Sequence, residues 1–95
     1  MGVDGNRVAL VTDEWRLIVS GPGDAIVQNV GDGDGGGECE VVPRTSKPEA
    51  SESGIGHQLV YGSPAFSYAV SDMEEGDMIY GRAIGGPVTV AWSKK

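Results

Sequence analysis

The chain has 95 residues and a formal net charge of −7, from 14 acidic and 7 basic side chains. This length predicts one domain, and the acidic excess argues against binding to nucleic acid or to an anionic membrane surface. A single cysteine excludes an intrachain disulfide.

Apolar residues alternate with polar ones along short segments, and Gly, Pro, Asp or Ser interrupts each segment. This pattern predicts β-strands rather than helices. The predicted strands, in chain order, are residues 8–12, 15–20, 25–30, 38–43, 57–61, 65–70, 78–84 and 88–93. About eight short strands predict an all-β fold, a single small antiparallel β-sandwich or jelly-roll-like domain. We expect residues 1–7 to form a flexible arm, residues 8–93 the sandwich and residues 94–95 a tail.

Two turns rich in glycine and proline are predicted to close hairpins. They are Gly21-Pro22-Gly23-Asp24, between the second and third strands, and Gly85-Gly86-Pro87, between the last two. Alternation also predicts which side chains share a face. The three expected sets are Trp15, Leu17 and Val19; Ile79, Gly81 and Ala83, facing the core; and Val88, Val90 and Trp92.

The glycine-rich segment 31–37 follows a predicted strand and matches the G-x-G-x-x-G spacing of dinucleotide-binding loops. A strand follows it instead of a helix, and Asp32 and Asp34 would repel phosphates, so we interpret it as a solvated loop. Asp32, Asp34 and Glu38 offer oxygen ligands for calcium, but their spacing does not fit the EF-hand loop.

Few residues are suited to catalysis. Cys39 and His57 are the only cysteine and histidine, which argues against a closed zinc site. A thiol–imidazole pair would need a thiolate, and the neighbouring Glu38 and Glu40 disfavour one, so we expect Cys39 to be an inert core residue. We therefore expect a protein that is not an enzyme and that binds no cofactor and no metal.

The segment 44–56 is predicted to be a long polar loop. Ser46 and Glu49 have the spacing of a helix capping box, which predicts at most one helical turn. This loop and the residue after it mix charge with an apolar side chain that we expect to be exposed. The predicted partner-binding residues are Arg44, Lys47, Ile55 and His57.

Six aromatic residues lie mostly in predicted strands, where they are expected to face the core. An alternative function, a small carbohydrate-binding module, would require an exposed aromatic platform. It predicts that a glycan quenches the fluorescence of Trp15 or Trp92.

Four segments together resemble the small β-sandwich virion proteins of tailed bacteriophages, that is, head decoration or cement proteins and related fibre-base domains. They are T-x-x-W-x-L-I-V-S-G at residues 12–21, A-I-V-Q-N-V-G at 25–31, P-A-F-S-Y at 64–68 and E-G-D-M-I-Y-G-R-A at 75–83. The four segments contain 31 residues, about one-third of the chain. The loops 31–37 and 44–56 are longer than expected for that group.

The resemblance implies a structural protein without cofactor or catalysis, which binds the phage capsid surface and decorates or stabilises the virion. A tail or fibre attachment domain is the alternative within that group. The implied partner is the major capsid protein or another virion protein, together with self-association as a homo-oligomer such as a trimer. The implied localisation is the virion, after synthesis in the host cytoplasm, because the first ten residues do not predict a signal peptide.

Overall fold

The structure is a computed structural model that describes residues 6–95. Within this range the chain forms eight β-strands and no helix. The strands are β1 Asn6–Leu10, β2 Arg16–Ser20, β3 Gly23–Gly31, β4 Glu38–Arg44, β5 His57–Val60, β6 Ser67–Met73, β7 Met78–Ile84 and β8 Val88–Lys94. Residues 6–95 therefore contain no helix that could cross a membrane.

The strands form two four-stranded sheets that pack face to face. The first sheet has the order β1-β8-β3-β6 and the second has the order β2-β7-β4-β5. Every pairing is antiparallel. The prediction of an all-β antiparallel sandwich of about eight short strands is confirmed.

The predicted arm and tail are each too long. Asn6 and Arg7 pair with Trp92 and Ala91 of β8, so the arm predicted at residues 1–7 is wrong for its last two positions. Residues 1–5 lie outside the described residues. At the other end Lys94 pairs with Ala25, and the Lys95 main chain exchanges two hydrogen bonds with Asp24, so residues 94–95 extend the sheet.

The two predicted hairpins do not form. β2 and β3 lie in different sheets, and so do β7 and β8, so that each turn crosses from one sheet to the other. Both hydrogen-bonding edges of β7 are taken by β2 and β4, so β8 cannot pair with it. β8 takes the equivalent central position between β1 and β3 in the first sheet.

The main core lies between the sheets and contains the side chains that alternation assigned to it. Val88 and Val90 are buried, with Trp92 packed against them, and Ile79 and Ala83 face them from the second sheet. Between these, Gly81 leaves no room for a side chain, since a Cβ there would lie 2.6 Å from Ile18 Cδ1 and 3.0 Å from Leu10 Cδ1. The faces predicted for β7 and β8 are thus confirmed.

The face predicted for β2 is wrong. The register against β7 shifts between Leu17 and Val19, which places both Ile18 and Val19 in the core. Leu17 is instead 48% exposed. Such a bulge inserts one residue and reverses the alternation after it, so a strict period of two misassigns the strand.

Candidate functional site

The predicted polar loop folds back over the outer face of the second sheet. Residues 47–56, which we call the strap, are held there through their main chain at alternate residues. Arg82 Nη1 donates to the Ala50 carbonyl at 2.7 Å, and Trp15 Nε1 donates to the Glu52 carbonyl at 3.2 Å. The Gly54 amide in turn donates to Glu40 Oε1 at 3.2 Å. The strap contains no helix, only a turn in which the Glu52 amide donates to the Glu49 carbonyl.

A second, smaller core lies beneath the strap. Trp15, Val42 and Tyr80 are buried there, and Ile55 and Met78 pack against them. A buried ion pair borders this cluster, with Arg82 Nη2 lying 3.3 Å from Glu40 Oε1. The Arg82 guanidinium lies 4.8 Å from the Trp15 ring centroid. Burying these two charges would be unfavourable unless each had a partner, and they find partners in each other and in the main chain of the strap. The strap is therefore part of the folded body.

The four predicted partner-binding residues lie at the end of β4, in the strap and at the beginning of β5. Arg44 ends β4 and Lys47 opens the strap, and both are exposed; Arg44 lies 3.7 Å from Glu52. Ile55 is partly buried against the cluster of Trp15, so its predicted exposure is wrong. The strap uses this side chain as its own apolar anchor.

His57 begins β5 and contacts the first sheet. Its ring stacks on that of Tyr68 in β6, with centroids 4.4 Å apart and planes 26° apart. Burial raises the pKa of the Tyr68 hydroxyl. The stack joins the neighbouring edge strands of the two sheets, so His57 acts here as a packing residue.

Cys39 is confirmed as a core residue. It is completely buried between the sheets. Burial, aided by the charge of Glu40, raises the pKa of its thiol to about 12. A thiol with this pKa carries almost no thiolate near neutral pH and makes a poor nucleophile.

The glycine-rich loop 31–37 is closed by its own hydrogen bonds. Asp32 Oδ1 accepts the amides of Asp34 at 2.7 Å and Gly36 at 3.3 Å, which lowers the pKa of the Asp32 carboxyl. As predicted, a strand follows the loop rather than a helix. Across residues 6–95, no three His, Cys, Asp or Glu side chains are grouped so that they could hold a metal ion.

The two outer faces of the sandwich differ. The strap covers that of the second sheet, whereas no described segment covers that of the first. Inward side chains of the first sheet, such as Val27 and Val90, are buried, and the alternate side chains point outward. We call this outward set the open face; it comprises Arg7, Ala9, Asp24, Ile26, Gln28, Val30, Ser67, Ala69, Ser71, Thr89, Ala91 and Ser93.

The open face has an unusual charge for this chain. Only Arg7 and Asp24 of these twelve side chains are charged, although the chain carries 14 acidic residues. Asp24 lies at one end of the face, at the beginning of β3, where its Oδ1 accepts the Asp72 amide. The acidic side chains thus lie mainly on the loops and on the second sheet.

A shallow groove of about 580 Å³ opens at one end of the open face. Arg7 and Gln28 line it together with two exposed aromatic rings, Tyr61 at 43% exposure and Phe66 at 40%. The Tyr61 ring is held close to the main chain of Gly31, where a Cβ would lie 3.2 Å from Tyr61 Cδ1. The tryptophans do not contribute, since Trp15 is buried and Trp92 packs against the main core.

Comparisons with protein-family models, with curated proteins and with solved structures found no match to this chain. The candidate site therefore rests on geometry alone. Sequence reasoning missed the open face because it placed Arg7 in an arm. A usable signal was present in β8, where the positions between the core residues are all small: Thr89, Ala91 and Ser93.

Proposed function

We propose that this protein is a non-enzymatic structural component of a larger protein assembly and associates with other subunits through the open face. The assembly that the sequence resemblance suggests is a virion, whose capsid or tail the protein would decorate. The observation that carries the proposal is an uncovered sheet face with only two charged side chains, Arg7 on its edge strand and Asp24 at one strand end, in a strongly acidic chain.

Charge supports a protein surface as the occupant of the open face. Burying a charge without a partner is costly, so protein interfaces are depleted of charged residues at their centre. The open face meets this condition, with Arg7 on its edge strand β1. Most other surfaces of the molecule carry carboxylates that any partner would have to neutralise.

The packing of the domain also supports a structural role. The main core and the cluster under the strap share the second sheet, so β7 and β4 are buried on both faces. A body packed in this way holds a surface in one shape, and a preformed surface loses little conformational entropy on docking.

Density-gradient fractionation of the lysate in which the protein is naturally made tests this function. We expect the protein to migrate with multi-megadalton particles. Migration only as a free small protein would contradict the proposal.

Purified variants added back to depleted particles locate the contact. Ala91→Arg places a long charged side chain in the middle of the open face and should abolish binding. Ser51→Arg adds the same charge at an exposed position of the strap and should bind as the unaltered protein does. Equal binding of both variants would show that the open face is not used.

Glycan binding is a second candidate, favoured by the groove with Tyr61, Phe66, Arg7 and Gln28. Exposed aromatic rings can stack on sugars while the guanidinium and amide donate hydrogen bonds. Titration with chitohexaose and with an oligogalacturonate, followed by NMR, tests it. Binding that Tyr61→Ala removes and Leu17→Ala leaves intact would support this candidate, and no shift at either ring would exclude it for these sugars.

A further inference from the structure

The open face alternates between strands with large and small outward side chains. One row across the sheet, set by the strand registers, runs Arg7, Ala91, Gln28, Ser67 from β1 to β6. The order in this row is large, small, large, small. Across a sheet whose side chains stand upright, such a row forms alternating ridges and troughs.

The adjacent row repeats the pattern. Ser93 of β8 is small, Ile26 of β3 is large and Ala69 of β6 is small. The ridges therefore lie over β3, with Arg7 forming another on β1, and the troughs lie over β8 and β6. The pattern thus holds across the two central rows, whereas the next row pairs Ala9 of β1 with Thr89 of β8.

From this pattern we infer that the open face pairs with the open face of a second copy of this chain, about a two-fold axis that runs along the strands. Such an axis places β1 opposite β6 of the second copy and β8 opposite its β3. Gln28 and Ile26 of each copy then enter the troughs at Ala91 and Ser93 of the other. Arg7 comes to lie opposite Ser67.

This inference rests on the proposed function, because it names the partner of the same face. Sheets that pack face to face lie about 10 Å apart with nearly aligned strands, which this axis provides. Two chains of net charge −7 repel each other, and this contact keeps most of their carboxylates at a distance. The dimer also leaves both straps outward.

The area suits a dimer of modest affinity. The molecule measures 32 × 32 × 20 Å, and four strands with five residues each present a patch of roughly 19 by 17 Å. The two patches together cover about 650 Å², below the roughly 1,200 Å² of stable interfaces, so the dimer is weak. We expect a dissociation constant on the order of hundreds of micromolar.

Sedimentation velocity of the purified chain, from about 1 to 500 µM, tests the pairing. The expected species at high concentration has twice the 9.9 kDa mass of one chain. Ala91→Arg should weaken the dimer at least tenfold, because the trough it fills must receive Gln28 of the other copy. Ser51→Arg should dimerise as the unaltered chain does, and circular dichroism confirms folding of each variant.

A gain-of-affinity variant tests the two-fold axis itself. Ser67→Glu places a carboxylate opposite Arg7 of the second copy, whereas Arg7 of the same chain is three strand spacings away, about 14 Å. The dimer should become about three- to tenfold tighter, and Arg7→Gln in the same chain should abolish this gain.

Three results would overturn the pairing. They are a monomer or a trimer at every concentration, a dimer that Ala91→Arg leaves intact, and a Ser67→Glu variant that associates no more tightly. None of them decides whether the protein joins particles, which the gradient experiment tests separately.

Discussion

At the scale of single residues, Asn29 joins three segments of the chain inside the sandwich. Its amide nitrogen donates to the carbonyls of Gly37 and Leu59, each at 3.1 Å, and its oxygen accepts the Gly31 amide at 2.8 Å. The side chain is almost fully buried, and all of these groups lose water on folding. Asn29 thus ties β3 to β5 and to both ends of the glycine-rich loop.

Replacing Asn29 by alanine leaves two carbonyls and one amide without this partner. Each unsatisfied buried group costs about 1–3 kcal/mol, so we expect the free energy of unfolding to fall by about 2–4 kcal/mol in a urea titration. Gln28→Ala removes an exposed amide from the same strand and should change it by less than about 0.5 kcal/mol. Equal losses would contradict the role of Asn29.

The raised pKa of Cys39 has a direct chemical consequence. Because the thiol is buried and its pKa is about 12, we expect no reaction with a disulfide reagent at pH 8 in the native protein and complete reaction in denaturant. Ser51→Cys, at an exposed position, provides the positive control in a Cys39→Ser background. If native Cys39 were labelled as fast as the thiol of this control variant, the core would open readily.

At the scale of elements, the strap is the feature that distinguishes the two sheets. It supplies hydrogen-bond partners for Trp15, Glu40 and Arg82, which otherwise lie on an outer face exposed to water. In return, these side chains satisfy its main chain at alternate residues. The strap and the second sheet therefore depend on each other.

Removing Arg82 should be costly because it leaves the Glu40 carboxylate buried without its counter-ion. We expect Arg82→Met to lower the free energy of unfolding by about 3–5 kcal/mol. Glu40→Gln combined with Arg82→Met removes both charges and should cost less than Arg82→Met alone. Arg44→Met, at an exposed pair 3.7 Å from Glu52, should cost less than about 1 kcal/mol.

At the scale of the whole molecule, the two cores meet across one sheet. Val41 and Ile79 enter the main core, while their neighbours Val42 and Tyr80 enter the cluster under the strap. A strand that serves two cores cannot leave one without disturbing the other. The sandwich and the strap should thus unfold together.

Trp15 and Trp92 report separately on the two cores. In a Trp92→Phe variant the fluorescence comes from Trp15 beneath the strap, and far-UV circular dichroism follows both sheets. We expect the two signals to have the same urea midpoint. An earlier midpoint for Trp15 would show that the strap opens before the sandwich unfolds.

The alternation of apolar and polar residues along the sequence predicted much of this fold. The alternation in β7 correctly assigned Ile79 and Ala83 to the core, and that in β8 correctly placed Val88 and Val90 on one face. Cys39 was correctly expected to be an unreactive core residue, although burial raises the pKa of its thiol more than the charge of Glu40 does. Alternation and turn residues depend on residues close together in the chain, so the sequence by itself determined the all-β class, the approximate positions of the strands and the inward face of β7.

Other properties were decided only by the tertiary structure. The sheet that each strand joins, the bulge after Leu17 and the burial of Ile55 arise from contacts between distant residues, such as Trp15 with Glu52 and Glu40 with Arg82. A turn of glycine and proline has the same sequence pattern whether it closes a hairpin or crosses between sheets, so the pattern cannot distinguish the two. The open face likewise emerges only when four strands from separate parts of the chain lie side by side, because its row of large and small side chains does not exist along any one strand.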